Sequence, residues 1–157
     1  MKRLLGYLQT CRWLLPSVIF ILSACEGYES SIPDTDVNIF RNINTDGLAS
    51  YGSSLYINAP EKAVDRIGYG GILIVHSFNT LNGYDGFCAF DISCPVEHSW
   101  DVRVSKPDEN LICKCDSCGE EYNLYFGEGK PTKGFSKKPL RSYHLYIDGY
   151  NNIQVSR

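Results

Sequence analysis

Cys115-Asp116-Ser117-Cys118-Gly119-Glu120-Glu121-Tyr122-Asn123 is the stretch on which the reading of this chain turns. A C-x-x-C-G knuckle presents two sulfurs from one tight turn, the geometry that a metal ion, an iron–sulfur cluster or a disulfide requires. A third thiol, Cys94, lies some twenty residues upstream. Around these thiols the sequence is written in short strands and turns. Gly70-Gly71-Ile72-Leu73-Ile74-Val75-His76 is a β-branched run after glycine punctuation, suited to a buried strand. Asn82-Gly83 and Asp85-Gly86 mark a hairpin turn into Phe87-Cys88-Ala89-Phe90-Asp91. Further strands are expected near Val37–Ile43, Trp100–Val104, Leu111–Cys113, Tyr122–Phe126, Tyr143–Ile147 and Ile153–Val155. No sustained helical periodicity follows the first two dozen residues, so the expected class is all-β, a sandwich or small barrel.

The N-terminal end supplies an address. Lys2, Arg3 and Arg12 precede or flank an apolar run from Trp13 to Leu22, too short for a comfortable permanent span and suited to a signal-peptide core. Leu22-Ser23-Ala24-Cys25 resembles the lipobox of bacterial lipoproteins, in which the Cys is acylated and becomes the new N-terminus. The expected organisation is therefore a signal peptide over 1–24, a lipidated Cys25 with a flexible polar tether to residue 36, and one β domain over 37–157. Glu26 and Glu29 resemble the acidic export signals of Bacteroidota surface lipoproteins, which points to the periplasmic face or the outer membrane.

Removal of residues 1–24 leaves 12 basic against 18 acidic residues. A mature domain of net charge about −6 with no basic run is a poor nucleic-acid binder. Cys11 is discarded and Cys25 is consumed by lipid, so Cys88, Cys94, Cys113, Cys115 and Cys118 remain. Export permits disulfides, but pairing cannot use an odd number of thiols completely.

From residue 68 to the C-terminus the chain resembles Rieske domains. Their second ligand pair reads Cys-x-x-His-Gly-Ser-x-Phe-Asp, followed by a Gly-rich turn, Gly-Pro-Ala and a Pro-Leu-x-x-Tyr strand. Here the counterparts are Cys115 to Asn123, Gly127-Glu-Gly129, Gly134-Phe-Ser and Pro139-Leu140-Arg-Ser-Tyr143. Phe87-Cys88-Ala89-Phe90-Asp91-Ile92-Ser93-Cys94-Pro95 looks like the approach to the first ligand box. The chain is also similar to Rieske-like lipoproteins of Bacteroidota whose knuckle carries Cys in place of His. The resemblance implies a Rieske-like fold, with Cys94 and Cys115 on the two cysteine positions. The first imidazole position falls on Val96 and the second on Cys118; registering the first box on Cys88 puts Phe90 there instead. An ordinary [2Fe–2S] centre, with two thiolates on one iron and two imidazoles on the other, is not expected.

Three uses of the thiols stay open. In a cofactor-free domain, Cys88 could bridge Cys113, and two of Cys94, Cys115 and Cys118 could form a second disulfide. Alternatively, a structural zinc site would take these three thiolates plus His98, Cys88 or Cys113 as fourth ligand. The third is a low-potential [2Fe–2S] cluster or an exchanging dithiol. No helix follows Cys118 to lower a thiol pKa, and Glu120-Glu121 offers no positive field.

Other constellations point to ordinary surface. No G-x-S-x-G, H-E-x-x-H or phosphate loop is present, so no enzyme is expected. Glu97 beside His98 imitates an acid–base pair, but sequence neighbours on a strand point apart. Lys130, Lys133, Lys137, Lys138 and Arg141 cluster around Gly134, a solvated face or a contact for an acidic partner or lipid headgroups. The tyrosines and phenylalanines suit core and rim, with a sugar-binding platform as the alternative. The expectation is a membrane-anchored, Rieske-like envelope lipoprotein with a structural or binding role and an unidentified envelope partner. The competing class is electron transfer.

Overall fold

The computed structural model describes residues 29–78 and 86–157. The signal peptide, Cys25 and the Asn82–Asp85 turn lie outside the described residues. Ten strands follow in order: β1 (Val37–Asn42), β2 (Ser54–Ile57), β3 (Arg66–Ile67), β4 (Ile72–His76), β5 (Phe87–Asp91), β6 (Ile112–Lys114), β7 (Glu121–Asn123), β8 (Lys130–Lys133), β9 (Ser142–Ile147) and β10 (Asn152–Ser156). Among the described residues there is no helix.

β4 and β5 explain the architecture. Every residue of both strands is buried, because each strand has a core on either face. Side chains alternate across a strand. Leu73, Val75, Cys88 and Phe90 therefore enter one cluster with Val104, Leu111, Cys113, Tyr122 and Leu124. Ile72, Ile74, Phe87 and Ala89 enter the other with Val37, Ile39, Ile153 and Val155. A continuous apolar run, in place of strict alternation, is what a strand wedged between two layers needs.

The main sheet has the order β2-β4-β5-β9-β10-β1-β3, and β6-β7-β8 form a small second sheet. β9 turns the corner of the main sheet: Ser142 and Tyr143 pair with β5, while His144 to Ile147 pair with β10. β10 also pairs with β1, in a register from Asn38 opposite Ser156 to Asn42 opposite Asn152.

Buried polar groups fasten the layers. The Asp91 carboxylate accepts hydrogen bonds from the N–H groups of Tyr69, Gly70 and Ser93 and from the Tyr143 hydroxyl at 2.7 Å. Arg41 on β1 donates to Asp65 at 2.9 Å, and both side chains are out of solvent.

Some expected strands are shorter than the sequence implied. Trp100–Val104 contributes only isolated bridges, Arg103 to Ser93 and Val104 to Cys115. The Tyr122–Phe126 strand ends at Asn123, whose side chain accepts the Tyr125 N–H and turns the chain. The expected tether is also corrected: from Ser31 onward it is docked on the domain. Ser31 donates to the Pro95 carbonyl, Ile32 is buried, and Arg141 holds both the Ile32 carbonyl, at 2.9 Å, and Asp34, at 2.7 Å.

Candidate metal centre

Two loops at the end of the small sheet bring the thiols together. In the first, Cys94 donates its N–H to the Val102 carbonyl and its carbonyl accepts the His98 N–H, closing the turn Cys94–His98. His98 takes a left-handed conformation, φ +53°. In the second, the Gly119 N–H bonds to the Cys115 carbonyl at 2.8 Å, and the Cys115 N–H bonds to the Glu120 carbonyl at 2.9 Å. The knuckle needs φ +76° at Gly119, a conformation that costs glycine nothing. The Val104–Cys115 bridge ties the loops together, as does the Ser117 hydroxyl donating to Glu97 at 2.9 Å.

The metal-ligating atoms of Cys94, Cys115 and Cys118 all lie within 4.8 Å of one another. The Sγ atoms of Cys94 and Cys118 are 3.6 Å apart. Two thiolates on one tetrahedral zinc, each about 2.3 Å from the ion, lie about 3.8 Å apart. The triad is thus compact enough to ligate a single ion. Cys94 and Cys115 are fully buried and Cys118 partly so. Burial raises the Cys115 thiol and pushes Cys118 up to about 12. Without a cation, burial favours the protonated forms of Cys115 and Cys118, and a divalent ion would displace those protons.

The other sequence candidates stand apart. His98 is outside the triad, as are Cys88 and Cys113. None of the three therefore completes a closed four-ligand site here. Cys88 and Cys113 belong to the same apolar cluster as free thiols, with no sulfur–sulfur bond in this structure, and burial pushes both up to about 12. Glu97 bonds to Ser117 rather than acting as an acid–base partner for His98.

Two neighbours escaped the sequence reading. The Tyr122 hydroxyl approaches Cys94 Sγ at 3.8 Å; the hint was a tyrosine where the Rieske pattern has phenylalanine. Glu120 is buried, and its Oε1 accepts the N–H groups of Phe135 and Ser136, pinning the 134–136 loop beside the knuckle.

With this geometry in view, solved structures supply the comparison. The chain is similar to the cyanobacterial plasma membrane Rieske protein PetC3 from Synechocystis PCC 6803, at TM-score 0.50 and 21% identity, over 78% of this chain and 99% of that one. The fold is Rieske-like. The ferredoxin of carbazole 1,9a-dioxygenase from Nocardioides aromaticivorans IC177 aligns at TM-score 0.43 and 15% identity, over 78% of this chain and 95% of its own. The fold assignment rests on the former. No family model and no curated protein matches the sequence. Among the described residues, the thiols of Cys94, Cys115 and Cys118 meet at one point, and no imidazole joins them. These residues do not fit the two-imidazole iron of a conventional Rieske [2Fe–2S] centre.

Proposed function

We propose that this chain is a lipid-anchored envelope protein whose Rieske-like domain holds one soft metal ion, zinc by chemistry, on Cys94, Cys115 and Cys118. Its role on this reading is structural or binding, not catalytic. The spacing of the three sulfurs carries the proposal: they converge as donors to one ion, and the two imidazoles of a conventional cluster have no counterparts. Thiolates select zinc among abundant divalent ions, and three of them leave a fourth position for water. Bound metal would also protect the thiols from oxidation in an exported domain. Anchoring rests on the lipobox-like Leu22–Cys25.

A second reading uses the 3.6 Å contact differently: oxidation of Cys94 and Cys118 to a disulfide would close the loops covalently. Metal content, visible spectrum and free-thiol count of the purified full chain separate the readings. One equivalent of zinc, no colour and thiols that react only after chelation support the proposal. A metal-free protein missing two thiols selects the disulfide. A brown protein with iron and acid-labile sulfide overturns both in favour of electron transfer.

A further inference from the structure

The loop pinned by Glu120 carries Phe135, whose side chain is fully exposed. A phenylalanine exposed singly is ordinary, so its surroundings decide what it can do. Its setting is cationic. Lys133 pairs with Glu121 and Lys130 with Glu128, but Lys137 and the exposed Lys138 have no ion pair among the described residues. Glu120, the nearest acid in contact with this loop, is buried and engaged with backbone N–H groups.

The position of the chain's N-terminal side is equally informative. Glu29 and Ser30 line a cavity of about 500 Å³ together with Pro139, Leu140 and Arg141, the residues that follow Lys138. Between Cys25 and Glu29 there are four peptide links, which reach at most about 14 Å. A lipid on Cys25 would therefore lie within about 14 Å of Glu29, on the side of the domain where Pro139–Arg141 follow the 134–138 loop.

We propose that the 134–138 loop is a membrane-docking tip: Phe135 inserts among headgroups while Lys137 and Lys138 meet their phosphates. The choice of face rests on the lipoprotein reading of Cys25; the loop's own affinity for an anionic surface does not. Aromatic residues suit the interfacial zone, and lysines are drawn to its negative potential. A domain of net charge about −6 is repelled from such a surface on average, so the local sign at the tip decides its orientation. Docking would place the thiol centre beside the bilayer, because Ser31 contacts Pro95 and Glu120 joins the knuckle to the tip.

The test uses the full chain reconstituted in vesicles, with F135W as the probe. The emission difference between F135W and the parent chain isolates position 135 from Trp13 and Trp100. Quenching of that difference by brominated acyl chains is expected in vesicles containing phosphatidylglycerol and should weaken in phosphatidylcholine or high salt. K137Q/K138Q, made on surface side chains, should lower the docked-to-free ratio about thirty-fold. Emission from position 135 that stays water-exposed in anionic vesicles overturns docking. Quenching that is unchanged by K137Q/K138Q overturns the role of the lysines. Mass analysis of Cys25 keeps the two readings separate. A lipidated F135W chain whose emission difference is unquenched refutes docking and leaves the anchor. An F135W chain without lipid, but with the difference quenched, supports docking and refutes the anchor.

Discussion

Cys118 is the residue in which sequence and geometry meet. The resemblance read from the sequence sets it at an imidazole position of the Rieske pattern, and its Sγ lies 3.6 Å from that of Cys94. Cys118→Ser should weaken zinc binding by more than the roughly 10–100-fold that loss of an outer hydrogen-bonding partner costs, measured by chelator competition. His98→Ala should leave the affinity within about threefold, because the imidazole stands outside the triad. The raised thiols set the sign of the pH dependence. Below their pKa values Cys115 and Cys118 hold protons that the ion must displace, so affinity should climb as pH rises from about 6 to about 8. Calorimetric titrations in buffers of different ionisation enthalpy would count the protons released. An affinity flat with pH would contradict thiolate ligation.

At the scale of elements, β4 and its glycine approach show where sequence reading succeeds. The run Ile72–His76 was legible because burial on both faces leaves an unbroken apolar signature, and Asn152–Ser156 because half-burial leaves alternation. β2, β3 and β8 were not legible: Ser54–Ile57 is short and buried only at its last residue, Arg66–Ile67 is too short for a period, and Lys130–Lys133 contains Pro131 and polar neighbours on a mostly exposed edge. The docking of Ser31 to Asp34 was also hidden, since it depends on Arg141, more than a hundred residues away. The triad was legible as a group but its spacing was not, because that spacing depends on how two separate loops meet. Gly71 precedes β4 with φ +134°, and a Cβ there would lie 2.5 Å from the Ile57 carbonyl oxygen and 2.6 Å from Ile92 Cδ1. Gly71→Ala should therefore cost about 2–4 kcal/mol in urea unfolding, combining backbone strain with overpacking. A loss below about 0.5 kcal/mol would show that β2 and Ile92 yield easily.

For the molecule as a whole, acid should expose its electrostatic fastening. The hydrogen bond from Arg41 holds the Asp65 carboxyl below the usual range, against the opposing effect of burial. A depressed folded pKa contributes stability that is present above the unfolded value, about 3.9, and is lost as pH falls through the folded one. The melting temperature should fall more steeply below about pH 4 in the parent than in Asp65→Asn. Arg41→Met alone leaves a buried charge and should cost about 3–5 kcal/mol at neutral pH, less when combined with Asp65→Asn. Additive losses in that double variant would argue against coupling.

The pairing of β1 with β10 has a consequence in time. Apart from a two-residue pairing with β3, the first strand finds its neighbour only when the last has been made, and β9 joins the halves of the main sheet just before it. A growing chain thus lacks its closing partners until the final residues appear, and such distant contacts form slowly. Until β9 and β10 have emerged, β5 and β1 therefore remain open edges, and the main sheet cannot close.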